Sequence, residues 1–320
     1  MLSRTDKALD LAYHWKKTDI IFIDLIRELK ALVNPTSAKH HWINLIHLVT
    51  RRFNGLERSI CPRGLIFVEE LMDTRIAVIG GVGFCLDGSP DTIETPYGRV
   101  EVRSTMLEGK KAVFIARHGE NHLPPHKVNY RAIIWAVKSS GATRAISINT
   151  VGTMSYHPIG SFFLPVDYVE FTKARTNTFF DDIAMHVDMS RPYCPELLTC
   201  LGIAMSEMNV PPFEGVYVCA EGPHLESHAQ IRMMRQFGDV VGMTGYPEVV
   251  LARELGLCYA SLCIVTNEAC GMKTGGCKLS LSEITEQMDR LSGCVKEIIS
   301  RTAKKIPSER SCSCAWEGSS

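Results

Sequence analysis

At 320 residues, 45% hydrophobic and 22% charged, the chain has room for one large α/β domain with an extra segment, or for two domains. Lys+Arg and Asp+Glu number 35 each, so no overall charge draws it to nucleic acid or to an acidic membrane surface, and a small anion would have to be caught locally. No apolar run reaches the roughly 18 residues of a spanning helix, and no secretory cleavage pattern follows an apolar core near the start. A cytoplasmic setting is therefore expected, with the twelve cysteines, which include no CxxC pair, read as buried reduced thiols.

In residues 1–75, Ile21, Leu25, Leu29 and Leu32 recur at helical spacing until Pro35 stops the pattern. His40-His41 has no ligand set around it, so this stretch reads as a helical N-terminal extension without a metal site. At residue 76 the character changes. Ile76-Ala-Val-Ile is a β-branched strand closed by Gly80-Gly-Val82-Gly83, a loop whose amides can approach an anion. Strands follow over 101–106 and 111–116, then a helix from Val128 that Gly141 ends, a strand at 145–148 and β-rich sequence over 162–169. Further on, helices are expected over 196–208, 227–237, 248–255 and 282–304, and strands over 215–219, 239–242 and 259–265. This alternation predicts one α/β domain over 76–304 on a mixed, largely buried sheet flanked by helices, with a polar, loose tail over 305–320.

The chemistry gathers at strand ends, where an open α/β sheet presents side chains to a ligand. Arg117-His118-Gly119 follows a buried strand, and a guanidinium fork beside an imidazole suits phosphate oxygens. The competing reading is an arginine paired to a carboxylate and a packed histidine. Asn149-Thr150 and Thr244, at two other strand ends, favour the phosphate cage.

Arg117-His118-Gly119 with His122, Val128-Asn-Tyr-Arg-Ala with Trp135, Asn149-Thr-Val-Gly, Glu221-Gly-Pro, Val241-Gly-Met-Thr with Pro247-Glu248 and Glu254-Leu-Gly-Leu, and Val265-Thr-Asn occur in this order. Together they resemble the trimeric purine nucleoside phosphorylase and methylthioadenosine phosphorylase family over about 76–304. The resemblance implies a nucleoside phosphorylase-like fold and cleavage of a purine nucleoside by inorganic phosphate, with no metal or organic cofactor. It also implies a homotrimer or a dimer of trimers, with nucleoside and phosphate as small-molecule partners.

It places Val82, Arg117, His118, Asn149, Thr150 and Thr244 at the phosphate, and Met243 against the ribose. Asn267, with His118 one of the two catalytic candidates, would donate to purine N7, and Glu226, Leu225, Glu268 and Ala269 would surround the base. Adenosine-type members carry Asp at the positions of Asn267 and Ala269. Asn with Glu suits a 6-oxopurine, whose O6 accepts and whose N1–H donates. His186 and Leu281 stand near the sugar 5′ end, leaving S-methyl-5′-thioinosine and inosine or guanosine both open. Some archaeal relatives carry an oxidisable pair like Cys312-Ser-Cys314, so a disulfide there is a further possibility.

Three departures bear on activity. Val82 replaces a hydroxyl, His224-Leu225 replaces a pair ending in phenylalanine, and Ile133 replaces an asparagine. They keep open a weakened or inactive nucleoside-binding paralogue, and a 5′-methylthioadenosine phosphorylase is the other alternative. The incomplete glycine spacing, with Leu at position 86, weighs against a dinucleotide-binding oxidoreductase as a third reading.

Overall fold

The computed structural model describes residues 75–272 and 281–315, the side chains of the second segment from 282 onward. The expected N-terminal extension lies outside the described residues, as does Cys61. In chain order the elements are β1 (Arg75–Gly80), β2 (Ser89–Thr95), β3 (Gly98–Leu107), β4 (Lys110–Ala116), α1 (Tyr130–Ser139), β5 (Ala142–Thr153) and β6 (Phe162–Phe171). Then follow α2 (Pro195–Glu207), β7 (Phe213–Ala220), α3 (His228–Met234), β8 (Val240–Gly242), α4 (Gly245–Glu254), β9 (Cys258–Glu268) and α5 (Leu281–Lys305).

Strands β1, β5 and β9 are apolar on both faces because both faces are covered. Along β1 the side chains alternate. Ile76 and Val78 join a core with Leu197, Leu201 and Met205 of α2 and Met288, Val295 and Ile298 of α5. Ala77 and Ile79 join another with Ile133, Ile134 and Val137 of α1 and Val249, Leu251 and Ala252 of α4. Two helical layers thus sandwich the sheet, and each fully buried Ile or Leu contributes about 1.5–3 kcal/mol. Local signals set the helix ends: the Asn129 side chain accepts from the Ala132 amide to start α1, and Ser227 with Gln230 forms a capping box on α3.

Among the described residues the sheet has nine strands in the order β2-β3-β4-β1-β5-β8-β7-β6-β9, and β9 returns to pair with β5. The last five strands therefore close on themselves as a small barrel. One apolar cluster draws Val151, Phe163, Tyr217, Val240 and Cys263 from those five strands, which marks the barrel interior.

Two expectations need correction. Strand β2 was not foreseen: Ser-Pro-Asp-Thr-Ile-Glu-Thr is polar and mostly exposed, and it lies at the sheet edge, where proline and charge are tolerated. The tail is not loose over 306–315. Ile306 and Cys314 are buried, the Arg310 guanidinium donates to the Gly256 carbonyl at 2.7 Å, and the Ser311 amide and hydroxyl both donate to Glu196 at 2.8 Å.

Candidate active site

The site begins with a gap beside β5. One edge of β5 pairs with β9 from Arg144 to Thr153. The other edge pairs with β1 up to Ser147, and with β8 only at Gly152 and Thr153. Residues 148–151 therefore face no strand on that side. Neighbouring strands part here, one running parallel to β5 and the other antiparallel, which is where open α/β sheets hold ligands. Gly81, just past β1, turns away against this opening. A Cβ built there would stand 2.6 Å from the Ile148 carbonyl oxygen and 3.0 Å from Arg117 Nη1. Only glycine lets the chain pass so close.

At the β1 end of the gap lies a buried polar network. Arg117 donates from Nε to Glu248 Oε1 at 2.5 Å, and from Nη2 to Glu248 Oε2 at 3.2 Å and Ser147 Oγ at 2.5 Å. Its Nη1 donates to the Ile148 carbonyl at 2.9 Å. Ser147 and Tyr259 hydroxyls also donate to Glu248, at 2.8 and 2.9 Å. The carboxylate partner that sequence reading set against a phosphate role is thus present. Four of the five guanidinium N–H groups are engaged, and one on Nη1 remains. Burial alone would depress the Arg117 pKa, but the Glu248 charge and its hydrogen bonds outweigh that and raise it.

Asn149 is consumed by the protein as well. Its amide donates to Ser147 and Ser261 hydroxyls, and its carbonyl accepts from Thr244 Oγ1 at 2.8 Å. Thr244 occupies the N-cap position of α4, yet its hydroxyl makes no cap bond and reaches across to β5. Thr150 is half-buried, and both it and Asn149 lie inside β5, which runs on to Thr153, rather than at the strand end expected. His118 Nδ1 meets the Leu123 carbonyl oxygen at 2.7 Å. A carbonyl only accepts, so Nδ1 carries the hydrogen and Nε2 of the neutral ring is an acceptor. Burial first, then the Arg117 charge, lowers the His118 pKa and favours that neutral ring.

At the β8 end the Asn267 amide packs on Gly152, where an added Cβ would stand 2.9 Å from Nδ2. Nδ2 donates to the Glu268 carbonyl at 3.0 Å, and Oδ1 accepts from Thr266 Oγ1 at 3.0 Å. Because the Glu268 carbonyl cannot donate, the amide has one orientation, with one N–H uncommitted. Glu226, next to the Ser227 cap of α3, is buried, and its Oε1 has no partner among the described residues. Burial raises its pKa. Oε2 of Glu268 is likewise buried without a partner.

The remaining candidates are placed as follows. Ala269 is buried among Met154, Met234 and Met272, its amide on the Thr153 carbonyl at 2.9 Å. Leu225 is half-buried and Val82 is exposed. His186 is exposed on the long loop between β6 and α2. Leu281 opens α5, but its side chain lies outside the described residues.

The structure brings Gly81, Arg117, Asn149 and Thr244 into one network, and Asn267 onto Gly152. It joins neither His186 nor Val82 to these by any contact among the described residues. Sequence reasoning missed Arg175, on the loop after β6. Its side chain is buried, pairs with Glu221 at 3.2 Å and donates to the carbonyls of Glu221, Met243 and Tyr246, so it sets the turns that carry Met243 and Thr244. Nothing in Lys173-Ala-Arg175 signals this, since the Glu221 carboxylate and the backbone carbonyls it binds are brought in by the barrel.

Comparison with known proteins accords with this geometry. A family model described as the phosphorylase superfamily matches residues 75–304. A protein named probable S-methyl-5′-thioinosine phosphorylase, from Methanosarcina acetivorans, is 51% identical over 251 residues, covering 78% of this chain and 96% of the relative. The 6-oxopurine nucleoside phosphorylase of Pyrococcus furiosus is 41% identical over 256 residues, covering 75% and 96%. Among solved structures, the methylthioadenosine phosphorylase of Schistosoma mansoni in complex with adenine superposes with a TM-score of 0.70 at 27% identity, covering 74% of this chain and 93% of that one. Fold, strand-end network and relatives agree: the chain belongs to the phosphorylase superfamily.

Proposed function

We propose that the chain cleaves the N-glycosidic bond of 6-oxopurine nucleosides with inorganic phosphate, giving the free base and an α-1-phosphorylated sugar. The observation that carries the reading is the Asn267 amide, fixed on Gly152 with one N–H left to give. As the bond breaks, charge builds on the purine and C1′ becomes cationic. A donor at N7 or O6 stabilises the first, and a phosphate held beneath the sugar stabilises the second and attacks it. The Glu226 carboxylate, buried with Oε1 unpartnered, would accept from N1–H of the oxopurine.

Phosphate would sit along the gap, taking the remaining Nη1 hydrogen of Arg117, the loop amides at Gly81 and Val82, and the Thr150 hydroxyl. Thr244, set by Asn149, would shape the same pocket, with Met243 beside the ribose. His118, neutral with a bare Nε2, would accept the single hydrogen of monohydrogen phosphate and leave the other oxygens free to attack. This chemistry asks for no metal or organic cofactor. The 5′ group is proposed as methylthio, because relatives at 51%, 45% and 42% identity carry the name probable S-methyl-5′-thioinosine phosphorylase. A homotrimer or dimer of trimers in the cytoplasm is part of the same proposal.

The test is phosphate-dependent base release from S-methyl-5′-thioinosine, inosine, guanosine, adenosine and 5′-methylthioadenosine. Hypoxanthine is expected from the first two and guanine from the third, with the amino substrates at least about 10²-fold slower. Preference for the amino substrates would overturn the base assignment. No turnover with any of the five would point to the inactive paralogue.

The Glu226 assignment has its own pH signature. A carboxyl with a raised pKa becomes protonated, and swaps acceptor for donor, at a higher pH than an ordinary glutamate. The value of kcat/KM for inosine is therefore expected to fall as pH drops through that raised pKa. Glu226→Gln should remove this acid limb and cost about 10–100-fold at neutral pH. An unchanged limb in the variant would exclude Glu226 as its source.

A further inference from the structure

The ten described cysteines are all free thiols, Cys312 and Cys314 included. Four of them converge. Cys194 caps α2, Cys258 opens β9, and Cys312 and Cys314 come from the tail after α5. Their sulfurs all lie within 4.8 Å of one another, with Cys258 and Cys312 at 3.3 Å. Sulfurs bound tetrahedrally at about 2.3 Å from a zinc ion stand about 3.8 Å apart, so the four are near a ligand set as they lie.

Contacts that involve no sulfur bring the elements together. The Cys194 amide donates to the Tyr259 carbonyl at 2.8 Å. The tail is pinned by Arg310 on Gly256 and by Ser311 on Glu196, which also pairs with Arg144 at 3.1 Å. The Leu197 amide hydrogen-bonds to Cys194 and the Cys314 amide to Cys312, the kind of donor that steadies a thiolate. Cys194, Cys258 and Cys314 are buried and Cys312 is half-buried, so the cluster is closed, as structural zinc sites are.

We propose that Cys194, Cys258, Cys312 and Cys314 form a tetrathiolate site for a zinc ion that clamps the C-terminal tail to α2 and β9. Binding releases the four thiol protons and forms four zinc–sulfur bonds; nothing is oxidised or reduced. Cys258 and Asn267 lie at opposite ends of β9, nine residues or about 30 Å of strand apart, so the site acts on stability and leaves the chemistry alone.

The test is metal analysis of the full chain purified from cells under reducing, chelator-free conditions, with thiols trapped at lysis. About one zinc per chain is expected, released when an organomercurial titrates the cysteines. A Cys312→Ser/Cys314→Ser variant should hold less than about a tenth as much. It should melt at least about 5 °C lower, yet turn over substrate within about twofold of the parent. Should that variant fail to fold, cobalt titration of the parent decides. Thiolate-to-cobalt charge-transfer bands with tetrahedral visible bands support the site, and their absence overturns it. Less than about a tenth of an equivalent of zinc in the parent overturns it as well, as does a Cys312–Cys314 or Cys194–Cys258 disulfide in the trapped protein.

Discussion

Asn267→Ala is expected to lower kcat/KM for 6-oxopurine nucleosides about 10²–10³-fold, the usual cost of losing one donor to developing charge. The effect should fall on kcat, since the charge it meets grows only as the base departs. Asn267→Asp should lose comparable activity for a different reason. An ionised carboxylate would set an oxygen against the Glu268 carbonyl, where Nδ2 now donates at 3.0 Å, and would repel both that carbonyl and the departing purine. Nor should this one change confer adenosine-type activity. The second aspartate of that pattern would stand at Ala269, which is buried among methionines. Steady-state kinetics on inosine and adenosine check both variants, and alanine within about fivefold of the parent would remove Asn267 from the chemistry.

Glu248→Ala is expected to destabilise the fold by about 3–5 kcal/mol, because it strands a charged guanidinium in the interior. Glu248 takes two bonds from Arg117 and one each from Ser147 and Tyr259, and neither member of the pair reaches solvent. Denaturant unfolding should show a lower midpoint at unchanged slope. Glu248→Gln keeps acceptor capacity but not charge, and should lie between the two. A loss below about 1 kcal/mol for alanine would mean that the pair is as weak as one at the surface. Activity should also fall in both variants, since a released Arg117 no longer holds Nη1 at Gly81 and Ile148.

Much of this was legible in the sequence because it is local. Apolar runs ending on Arg117, Thr244 and Asn267 marked strand ends, and the helices after them carried their own period and caps, whereas β5 runs past Asn149 to Thr153. Pairings made by topology were not legible. Glu248 stood in a recognisable Pro247-Glu248 motif, but its bond to a residue 131 positions away depends on α4 packing against β9. Arg175 binds a carboxylate 46 positions away and backbone carbonyls, which every residue has. The four converging cysteines have no ligand spacing between Cys194, Cys258 and the tail pair; only the return of α5 to the start of β9 makes them neighbours. Edge strand β2 escaped because a solvent-facing strand lacks the apolar run that betrays a buried one.

The unpaired stretch of β5 also works as a ruler. Four extended residues, 148–151, span roughly 13 Å, with the Arg117–Thr244 network at one end and the Gly152–Asn267 contact at the other. Because β9 is zipped to β5 along this whole length, the two ends cannot slide relative to each other. In the proposed reaction, the separation between nucleophile and leaving group is thus set by covalent chain length rather than by side-chain choice. One residue inserted there would lengthen the span and turn every later side chain to the opposite face of the sheet. Evolution of new substrates on this scaffold is accordingly confined to the loops that roof the gap, while the gap itself keeps one measure.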